Sequence, residues 1–549
     1  MSTTLSFKQK IDLPEWKPLA SALANTAAGN STAFDLRNET GQANPNIFLM
    51  QALTGLTRYN TVTDGWSEMT AFTTVGGTMA VGAYCVFVPS HGISGVVGGS
   101  PTTTSFTLAT LPNSATALKN QFANKGDGVG YKIRVYGNGA AGSSGLTNER
   151  FIVANSSGTA PVITVDTAFD FTPATTDHYE ILAGRIYMLG AGTTAAGYWK
   201  AMDVATGTIS GNLSISQLAA TIGTDTEGVM LDEQYVPYNR RPGEGFLGTD
   251  TYDTNNLTTL GGSTTPLKCN ICTVVANGTI TGTVAGGDAG VATNQFRNFQ
   301  IRIVEDTTNK TAVGQRRKIT SHTAGPSPVY TLYSNWTVNP SVGAKFVIEN
   351  NNDLLLWTNA ATVTYSYAAG GFAADAAWAT VTLSGGATQY ANPGTAMGAG
   401  CSVESAFSIV PDAGKNVLQS YIYWLRGAAT VTMAYLDIAA GANGVWTTIA
   451  PISQTTVTFS AGTCSAHDPH ANQGRYFYVA LNVTNRFLRF DMLNQEWEPW
   501  TNNQGMTQGA VLAANYLATS VFSDGSTKIP CLYQLGDTSA TFFGCNITV

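Results

Sequence analysis

The sequence predicts an all-β protein with several folding units, on three observations. Short runs rich in valine, isoleucine, threonine, tyrosine and phenylalanine alternate with turn residues, and few apolar stripes occur at helical spacing. Two long segments repeat one another at a nearly constant offset, and a second, shorter unit recurs elsewhere in the chain. The 549 residues correspond to roughly three or four domains of ordinary size.

Composition excludes several classes of protein. Charged residues make up 11% of the chain, against roughly 25% in an average soluble domain. The 28 Lys and Arg are outnumbered by 35 Asp and Glu, and this balance without a basic run argues against a reader of nucleic-acid sequence. No uncharged apolar run reaches the ~18 residues of a membrane span. The first residues lack the apolar core of a signal peptide, so we expect neither secretion nor membrane contact.

The predicted elements follow in order from the N-terminus. Residues 1–45, which contain Pro14, Trp16 and Pro18, are predicted to form an arm that contacts neighbouring molecules. The rest divides into one interrupted domain and two modules. The parts of the domain are 46–95, 183–261 and 351–549, and the modules are 96–182 and 262–350.

The two modules are predicted from a long internal repeat. Ile133 and Ile301 lie 168 positions apart, and four further pairs lie 167 positions apart, so one single-residue gap aligns the copies. Those pairs are Ile152 with Ile319, Pro161 with Pro328, Pro173 with Pro340, and Tyr179 with Phe346. We therefore expect two copies of one small β-barrel or sandwich.

The repeat has a recognisable order of residues. A strand of alternating isoleucines leads to an Arg-x-Ile strand, then to a threonine-containing strand, an aromatic residue, a proline and a final strand. The positions are Ile133, Arg150, Ile152, Thr164, Val165, Phe169, Pro173 and Tyr179 in the first copy, and Ile301, Arg317, Ile319, Thr331, Leu332, Trp336, Pro340 and Phe346 in the second. This order resembles small β modules that are common in bacteriophage virion proteins.

A second unit recurs outside the modules. A large apolar residue precedes Asn or Asp, and a bulky apolar residue follows six positions later, or more in two looser copies. Asn and Asp side chains cap turns, so each unit predicts a hairpin. The bulky residues are predicted to anchor adjacent sheets against one another, and they are Trp66, Ile209, Trp378, Trp446 and Trp497.

The spacing of this second unit indicates blades. Trp446 and Trp497 are 51 residues apart, close to the ~50 of a kelch repeat. The pattern resembles kelch-like β-propellers, although the usual Gly-Gly pair is missing from most copies, and this implies five or six blades. Each module is followed at once by an apolar strand, so the modules are predicted to be insertions between blade strands. Strands in the tail, 531–535 and 540–545, could complete a blade with the N-terminal part.

Cysteine and histidine offer no clear metal or cofactor site, and we expect none. Cys269 and Cys272 form a lone CxxC in an apolar stretch, and zinc needs a second ligand pair. They are better explained as strand residues. His467 and His470 are interpreted as turn residues, since they lie in a Ser/Gly/Asn/Pro-rich stretch without the helix that holds a metalloprotease pair on one face.

One arginine pair is a candidate for partner contact. Arg240 and Arg241 follow Tyr235 and Tyr238 directly. The pair could touch nucleic acid, but two arginines without a wider basic field favour a protein neighbour.

These observations favour a structural subunit of a bacteriophage particle, localised to the virion. Short-tailed phages build nozzle or tubular tail proteins from propellers with inserted β domains, and this sequence is similar in plan. The resemblance implies a tail or head-to-tail component that forms a homo-oligomeric ring, contacts other virion proteins and lets DNA pass with at most passive contact.

Two alternatives remain open at this point. A receptor- or carbohydrate-binding propeller is favoured by aromatic residues at loop-prone positions, namely Trp16, Trp336, Trp500 and Tyr516. A glycosidase would need paired carboxylates, for which Glu227 with Asp232 and Asp250 with Asp253 are candidates. We interpret these acidic residues as turn residues and predict no catalysis.

Overall fold

The fold is described here from a computed structural model. It describes residues 16–23, 31–34, 38–39, 42–43, 46–51, 55–61, 63–70, 84–88, 93–111, 115–124, 129–136, 147–175, 177–189, 199–209, 227–230, 269–284, 293, 300–309, 312, 315–332, 335–349, 354–357, 364–367, 378–380, 397–398, 400–407, 420–437, 445–450, 458–460, 463–467, 475–481, 486–492, 494–502, 516–523, 528–535 and 542–546.

Every regular element of two or more residues within these ranges is a β-strand, which confirms the all-β prediction. In chain order the strands are β1 Trp16–Pro18, β2 Ser31–Phe34, β3 Asn38–Glu39, β4 Gln42–Ala43, β5 Asn46–Gln51, β6 Gly55–Asn60, β7 Gly65–Thr70, β8 Tyr84–Val88, β9 Ile93–Val96, β10 Ser105–Thr107, β11 Lys132–Tyr136, β12 Thr147–Asn155, β13 Val162–Val165, β14 His178–Ile181, β15 Arg185–Leu189, β16 Trp199–Asp203, β17 Thr208–Ile209, β18 Glu227–Met230, β19 Cys269–Ala276, β20 Thr279–Val284, β21 Gln300–Glu305, β22 Arg316–His322, β23 Val329–Leu332, β24 Lys345–Glu349, β25 Leu354–Trp357, β26 Thr364–Tyr367, β27 Trp378–Thr380, β28 Ser402–Phe407, β29 Ser420–Leu425, β30 Met433–Asp437, β31 Val445–Ile449, β32 Cys464–His467, β33 Tyr476–Leu481, β34 Arg486–Asp491, β35 Glu496–Asn502, β36 Tyr516–Ser523, β37 Lys528–Leu535 and β38 Phe542–Asn546.

Most of these strands form four-stranded antiparallel sheets. They are sheet I (β2-β5-β6-β7), sheet II (β8-β15-β16-β17), sheet III (β18-β25-β26-β27), sheet IV (β28-β29-β30-β31), sheet V (β32-β33-β34-β35) and sheet VI (β36-β37-β38-β1). The first strand named in each sheet contacts the first strands of the sheets before and after it, and the first strand of sheet VI contacts that of sheet I. This cyclic arrangement is propeller-like.

The chain ends meet in sheet VI. β1 pairs with β38, so that Trp16 lies opposite Cys545 and Pro18 lies opposite Phe543. The predicted arm, residues 1–45, also contains β2, which is the first strand of sheet I. Two strands of this stretch, β1 and β2, therefore belong to sheets VI and I, and β3 and β4 pair with each other. These strands have two to four residues and are too short to show apolar alternation in the sequence.

The two repeated segments form six-stranded antiparallel barrels. Barrel 2 closes in the order β19-β20-β23-β22-β21-β24. Barrel 1 has the matching order β10-β13-β12-β11-β14-β9, and its two end strands are joined by a bridge between Val97 and Leu108. Apart from that seam, each strand of barrel 1 has the same neighbours as its counterpart in barrel 2.

The two barrels share an irregularity in one strand pair. β12 has a bulge where it pairs with β13 in barrel 1, and β22 has one where it pairs with β23 in barrel 2. The pairs on the two sides of the bulge are Ile152 with Val165 and Ala154 with Thr164 in barrel 1, and Ile319 with Leu332 and Ser321 with Thr331 in barrel 2. All four positions are offset by 167 residues, as the aligned isoleucines and prolines predict.

Both barrels occupy the same place in the chain relative to a sheet. Barrel 1 comes between β8 and β15, which pair with each other in sheet II. Barrel 2 comes between β18 and β25, which pair with each other in sheet III. The core of barrel 1 is continuous with apolar side chains of sheets I and II.

Candidate functional site

The outer face of barrel 1 carries a buried cluster of charged side chains. On β11, Ile133 and Val135 lie in the barrel core, so Arg134 between them points outwards. Its guanidinium donates to Glu149 Oε1 at 2.7 Å and to Glu180 Oε2 at 3.2 Å, on the two neighbouring strands. Arg134 is nevertheless only 1% exposed. Other parts of the protein therefore cover this outer face.

Barrel 2 contributes a cation to this cluster. Arg302 on β21 occupies the position equivalent to Arg134, between two core isoleucines, and is fully buried. Burial raises the pKa of Glu149, but the charges of Arg134, Lys132 and Arg302 outweigh it and bring the pKa below its usual value. Arg302 of barrel 2 therefore contributes to the electrostatic environment of Glu149 in barrel 1.

The cluster on barrel 1 is held together by paired charges. Arg134 pairs with both Glu149 and Glu180, and Lys132 Nζ is 3.8 Å from Glu149 Oε2. Burying ions is costly unless their geometry is good, and loss of one partner leaves a charge uncompensated. Each charge of the cluster is therefore needed by its partners.

An arginine of barrel 1 fixes the loop that follows β13. Arg150 Nε donates to the Ala168 carbonyl at 3.0 Å, and its guanidinium lies 5.7 Å from the ring centre of Phe169. Its Nη2 donates to Asn148 Oδ1 and to Asp170 Oδ1, both at 3.3 Å. The planar guanidinium group of arginine has enough N–H donors to make all these contacts at once.

Barrel 2 repeats this arrangement with different neighbours. Arg317 Nε donates to the Asn335 carbonyl at 2.8 Å, and its guanidinium lies 5.4 Å from the ring centre of Trp336. Its Nη2 donates to Gln315 Oε1 at 3.4 Å and to Thr337 Oγ1 at 2.9 Å. The arginine and the aromatic residue of the sequence motif thus hold each barrel's own loop in place.

The five predicted anchors share one position in their sheets. Each lies on the outermost strand, directly opposite the large apolar residue of its own repeat unit. The pairs are Trp66 with Tyr59, Ile209 with Met202, Trp378 with Tyr367, Trp446 with Leu436, and Trp497 with Phe490. In sheet VI the same position is filled from the other end of the chain, because Trp16 lies opposite Cys545, which precedes Asn546.

Trp66 lies between two sheets. Its ring centre is 5.2 Å from that of Phe542 in sheet VI, and the two rings meet edge to face. Its indole Nε1 donates to the Ala20 carbonyl at 2.8 Å, and the Ala20 N–H donates to Asp64 Oδ1 at 2.9 Å. Trp66 therefore ties the segment after β1 to sheet I.

The other anchors also border apolar clusters. The Trp497 ring centre lies 5.9 Å from that of Phe459, in a cluster shared by sheets IV and V. Ile209 packs on the cluster of sheets I and II and barrel 1, and Trp446 packs on that of sheet IV. Trp378 is described only as the first residue of β27.

Several other candidate residues are placed differently from the prediction. Of the aromatic residues predicted at loop positions, Trp16, Trp500 and Tyr516 lie in strands, and Trp336 is 6% exposed in the core of barrel 2. The local sequence signals turns near these residues but does not show which segments pack there. Arg240 and Arg241 lie outside the described residues.

The described residues show no group of three or more His, Cys, Asp or Glu side chains that could hold a metal ion. Cys269 begins β19, and Cys272 is buried in the same strand, where burial raises the pKa of its thiol to about 11. His467 ends β32, pairs with Phe477 and is buried, so the turn predicted there is wrong for this residue, because pairing with β33 extends the strand to it. His470 and the acidic residues Asp232, Asp250 and Asp253 lie outside the described residues, whereas Glu227 begins β18. Within the described part, no helix is long and apolar enough to cross a membrane.

The buried charged cluster is the part of the site that sequence reasoning missed. The signal was present, because Lys-Ile-Arg-Val-Tyr and Gln-Ile-Arg-Ile-Val place an arginine at the same alternating position of both copies. Alternation alone assigns such a residue to solvent. Packing against other parts of the protein reverses that assignment, because both arginines are buried.

Comparison with known proteins adds no functional argument. No protein-family model matches the chain, and no curated protein matches it. Among solved structures, Saccharomyces cerevisiae Sqt1 is similar at a TM-score of 0.29 and 8% identity, over 96% of this chain and 99% of that one. An auxiliary nutrient binding protein from Bacteroides ovatus gives 0.19 and 10% over 82% of each chain, and a GH74 enzyme from Niastella koreensis gives 0.18 and 13% over 93% and 83%. TM-scores of this size carry no argument.

Proposed function

We propose that this chain is a structural subunit of a bacteriophage particle, a nozzle, tubular or head-to-tail component that forms a symmetric ring around the DNA path. In this proposal sheets I–VI are the blades of one six-bladed, kelch-like propeller. Barrels 1 and 2 are insertions between the first and second strands of two neighbouring blades.

The observation that carries the proposal is the pair of equivalent barrels on adjacent sheets of a cyclic array. Both come between two paired strands of their sheet, and Arg302 of barrel 2 helps to lower the pKa of Glu149 in barrel 1. This arrangement supports a rigid body with two related projections, which is what a subunit needs to contact neighbours on both sides. It resembles in plan the phage tail proteins whose motif the modules share.

Charge supports the remaining parts of the proposal. The chain carries a formal net charge of -7 and no basic run, so phosphates would meet no cluster of Lys and Arg along the path. The low charge suits surfaces that other subunits cover permanently. The partners are further copies of this chain and other virion proteins, with passive contact to DNA, and no catalytic step is involved.

Localisation on purified particles tests this proposal. Antibodies raised against the chain should label phage particles at the tail or at the head-to-tail vertex in electron micrographs. A control antibody against the major capsid protein should label the head. Particles of the phage that encodes the chain, purified free of lysate and lacking the chain by mass spectrometry, would contradict the proposal.

A further inference from the structure

Sheets IV and V contact each other through polar side chains on their first strands, β28 and β32. Ser402 Oγ and Ser465 Oγ are 2.5 Å apart, and both serines are buried. This hydrogen bond shows which face of each strand is turned towards the other sheet. The side chain of Ser402 points towards sheet V, and that of Ser465 points towards sheet IV.

Glu404 and His467 are the next residues on these two faces. Side chains two positions apart along a strand lie on the same face of the sheet. Glu404 therefore points towards sheet V beside Ser402, and His467 points towards sheet IV beside Ser465. The imidazole belongs to a residue that is only 4% exposed, whereas Glu404 is half-buried.

Neighbouring strands show that Glu404 and His467 lie at the same level of the junction. Glu404 pairs with Tyr423 on β29, and His467 pairs with Phe477 on β33. The ring centres of Tyr423 and Phe477 are 5.8 Å apart, in the apolar cluster that sheets IV and V share. The serine contact and the ring contact therefore place the carboxylate opposite the imidazole.

Glu404 is the charged group that faces His467 from the surrounding strands. β32 packs against β28, β33 and β36, and Glu404 is the only Asp, Glu, Lys, Arg or His in these three strands. Asp437 ends β30 and Arg486 begins β34, and each of these strands is two places away from the first strand of its sheet. The shared cluster adds tyrosines, which ionise only near pH ~10, namely Tyr421, Tyr423 and Tyr435.

We propose that Glu404 and His467 form a proton-linked contact that strengthens the junction of sheets IV and V as the pH falls. Histidine takes up its proton between about pH 8 and pH 5, and a carboxylate opposite it favours the charged imidazole. Burial opposes that charge, but a buried ion is tolerated when it is paired. Near pH ~4 the carboxylate takes up its own proton, so the contact is strongest in mildly acidic solution.

Hydrogen exchange of the full-length chain at about pH 6 and about pH 8 tests this contact. After correction for the intrinsic exchange rates, β28, β32 and β33 should be about five- to tenfold better protected at the lower pH. This corresponds to a difference of about one pH unit in proton affinity between the closed and the open junction. Glu404→Gln keeps the size of a half-buried side chain and should abolish the increase, as should His467→Gln.

Two further variants are matched controls. Asp468→Asn removes the carboxylate that follows His467 in the sequence, and Asp468 lies outside the described residues. His322→Gln removes another buried histidine, which lies in barrel 2. In both variants β28, β32 and β33 should keep the increase in protection that the parent chain shows.

Several results would overturn the proposal. Protection of these strands in the parent chain that stays constant or falls between pH ~8 and pH ~6 contradicts a proton-linked contact. An increase that persists in Glu404→Gln, or that disappears in Asp468→Asn, assigns the proton to a different pair and contradicts it as well. If His467→Gln does not fold, the comparison of the parent chain with Glu404→Gln still decides. None of these results depends on assembly of the chain into a ring, so the proposed function stands or falls separately.

Discussion

At the scale of single residues, Glu149 is the group on which the buried charged cluster of barrel 1 depends most. Its carboxylate accepts from Arg134, lies near Lys132 and is acted on by Arg302 of the other barrel. Glu149→Gln keeps the size of the side chain and removes its charge. Hydrogen exchange of β11 and β12 should report a loss of about 3 kcal/mol, because the buried cations lose their counter-ion.

The control for this change is an exposed carboxylate of the same barrel. Asp170 lies beside Arg150, and its side chain is 51% exposed. Asp170→Asn should change stability by less than about 1 kcal/mol, as expected of a pair in contact with solvent. Equal effects of the two substitutions would contradict the burial of the cluster.

The sign of the pH dependence follows from the lowered pKa of Glu149. In the unfolded chain this carboxyl titrates near its ordinary value of about 4.3. The stabilisation is therefore fully present above that pH and is lost as the pH falls through the lower pKa of the folded state. The stability difference between the parent chain and Glu149→Gln should shrink in acid. A difference that grows as the pH falls would contradict the assignment.

Arg317 offers a second test at this scale. Arg317→Lys keeps a positive charge but loses the fork that reaches Asn335, Gln315 and Thr337 while stacking on Trp336. Faster hydrogen exchange in residues 335–340, equivalent to about 2 kcal/mol, is expected. Arg150→Lys should do the same to the matching loop of barrel 1. If the loop exchanges as slowly in either lysine variant as in the parent chain, charge alone holds the loop.

At the scale of elements, the sheets depend on anchors between them. Trp66→Ala removes the edge-to-face contact with Phe542 and the hydrogen bond to Ala20. A loss of about 3–5 kcal/mol is expected from the cavity, with faster exchange in β1 and β38. Trp66→Phe should leave β1 and β38 better protected against hydrogen exchange than Trp66→Ala does. Unchanged exchange in β38 after Trp66→Ala would contradict an anchor between sheets I and VI.

The elements were also the most predictable part of the molecule. The offset of 167 residues aligned the strands of both barrels and even the bulge that follows Ile152 and Ile319. The second repeat unit predicted a hairpin with its anchor on the outer strand, as at Asn60 and Trp66, where the Thr63 N–H donates to Asn60 Oδ1. Local chemistry determines these features, and one sequence is enough to show them.

Features that depend on distant packing could not be predicted. Arg134 and Arg302 alternate with apolar core residues, which assigns them to solvent, whereas both are buried by packing that the sequence does not show. Trp336 stands in a loop, and the sequence does not show that Arg317 and the barrel core cover it. The pairing of Trp16 with Cys545 joins residues from opposite ends of the chain.

At the scale of the whole molecule, the termini complete the cyclic array. Sheet VI takes three strands from the end of the chain and its outermost strand, β1, from the beginning. Joining the ends in this way covers the edge of β38, which would otherwise offer unpaired backbone groups to other chains. It also ties together the first and last sheets of the array.

Negative-stain imaging of the pure protein tests the central claim, self-assembly into a symmetric ring, most directly. Class averages should show closed rings with rotational symmetry and a central opening, formed from the full-length chain without other virion proteins. Persistent monomers at every concentration and salt condition would contradict the claim.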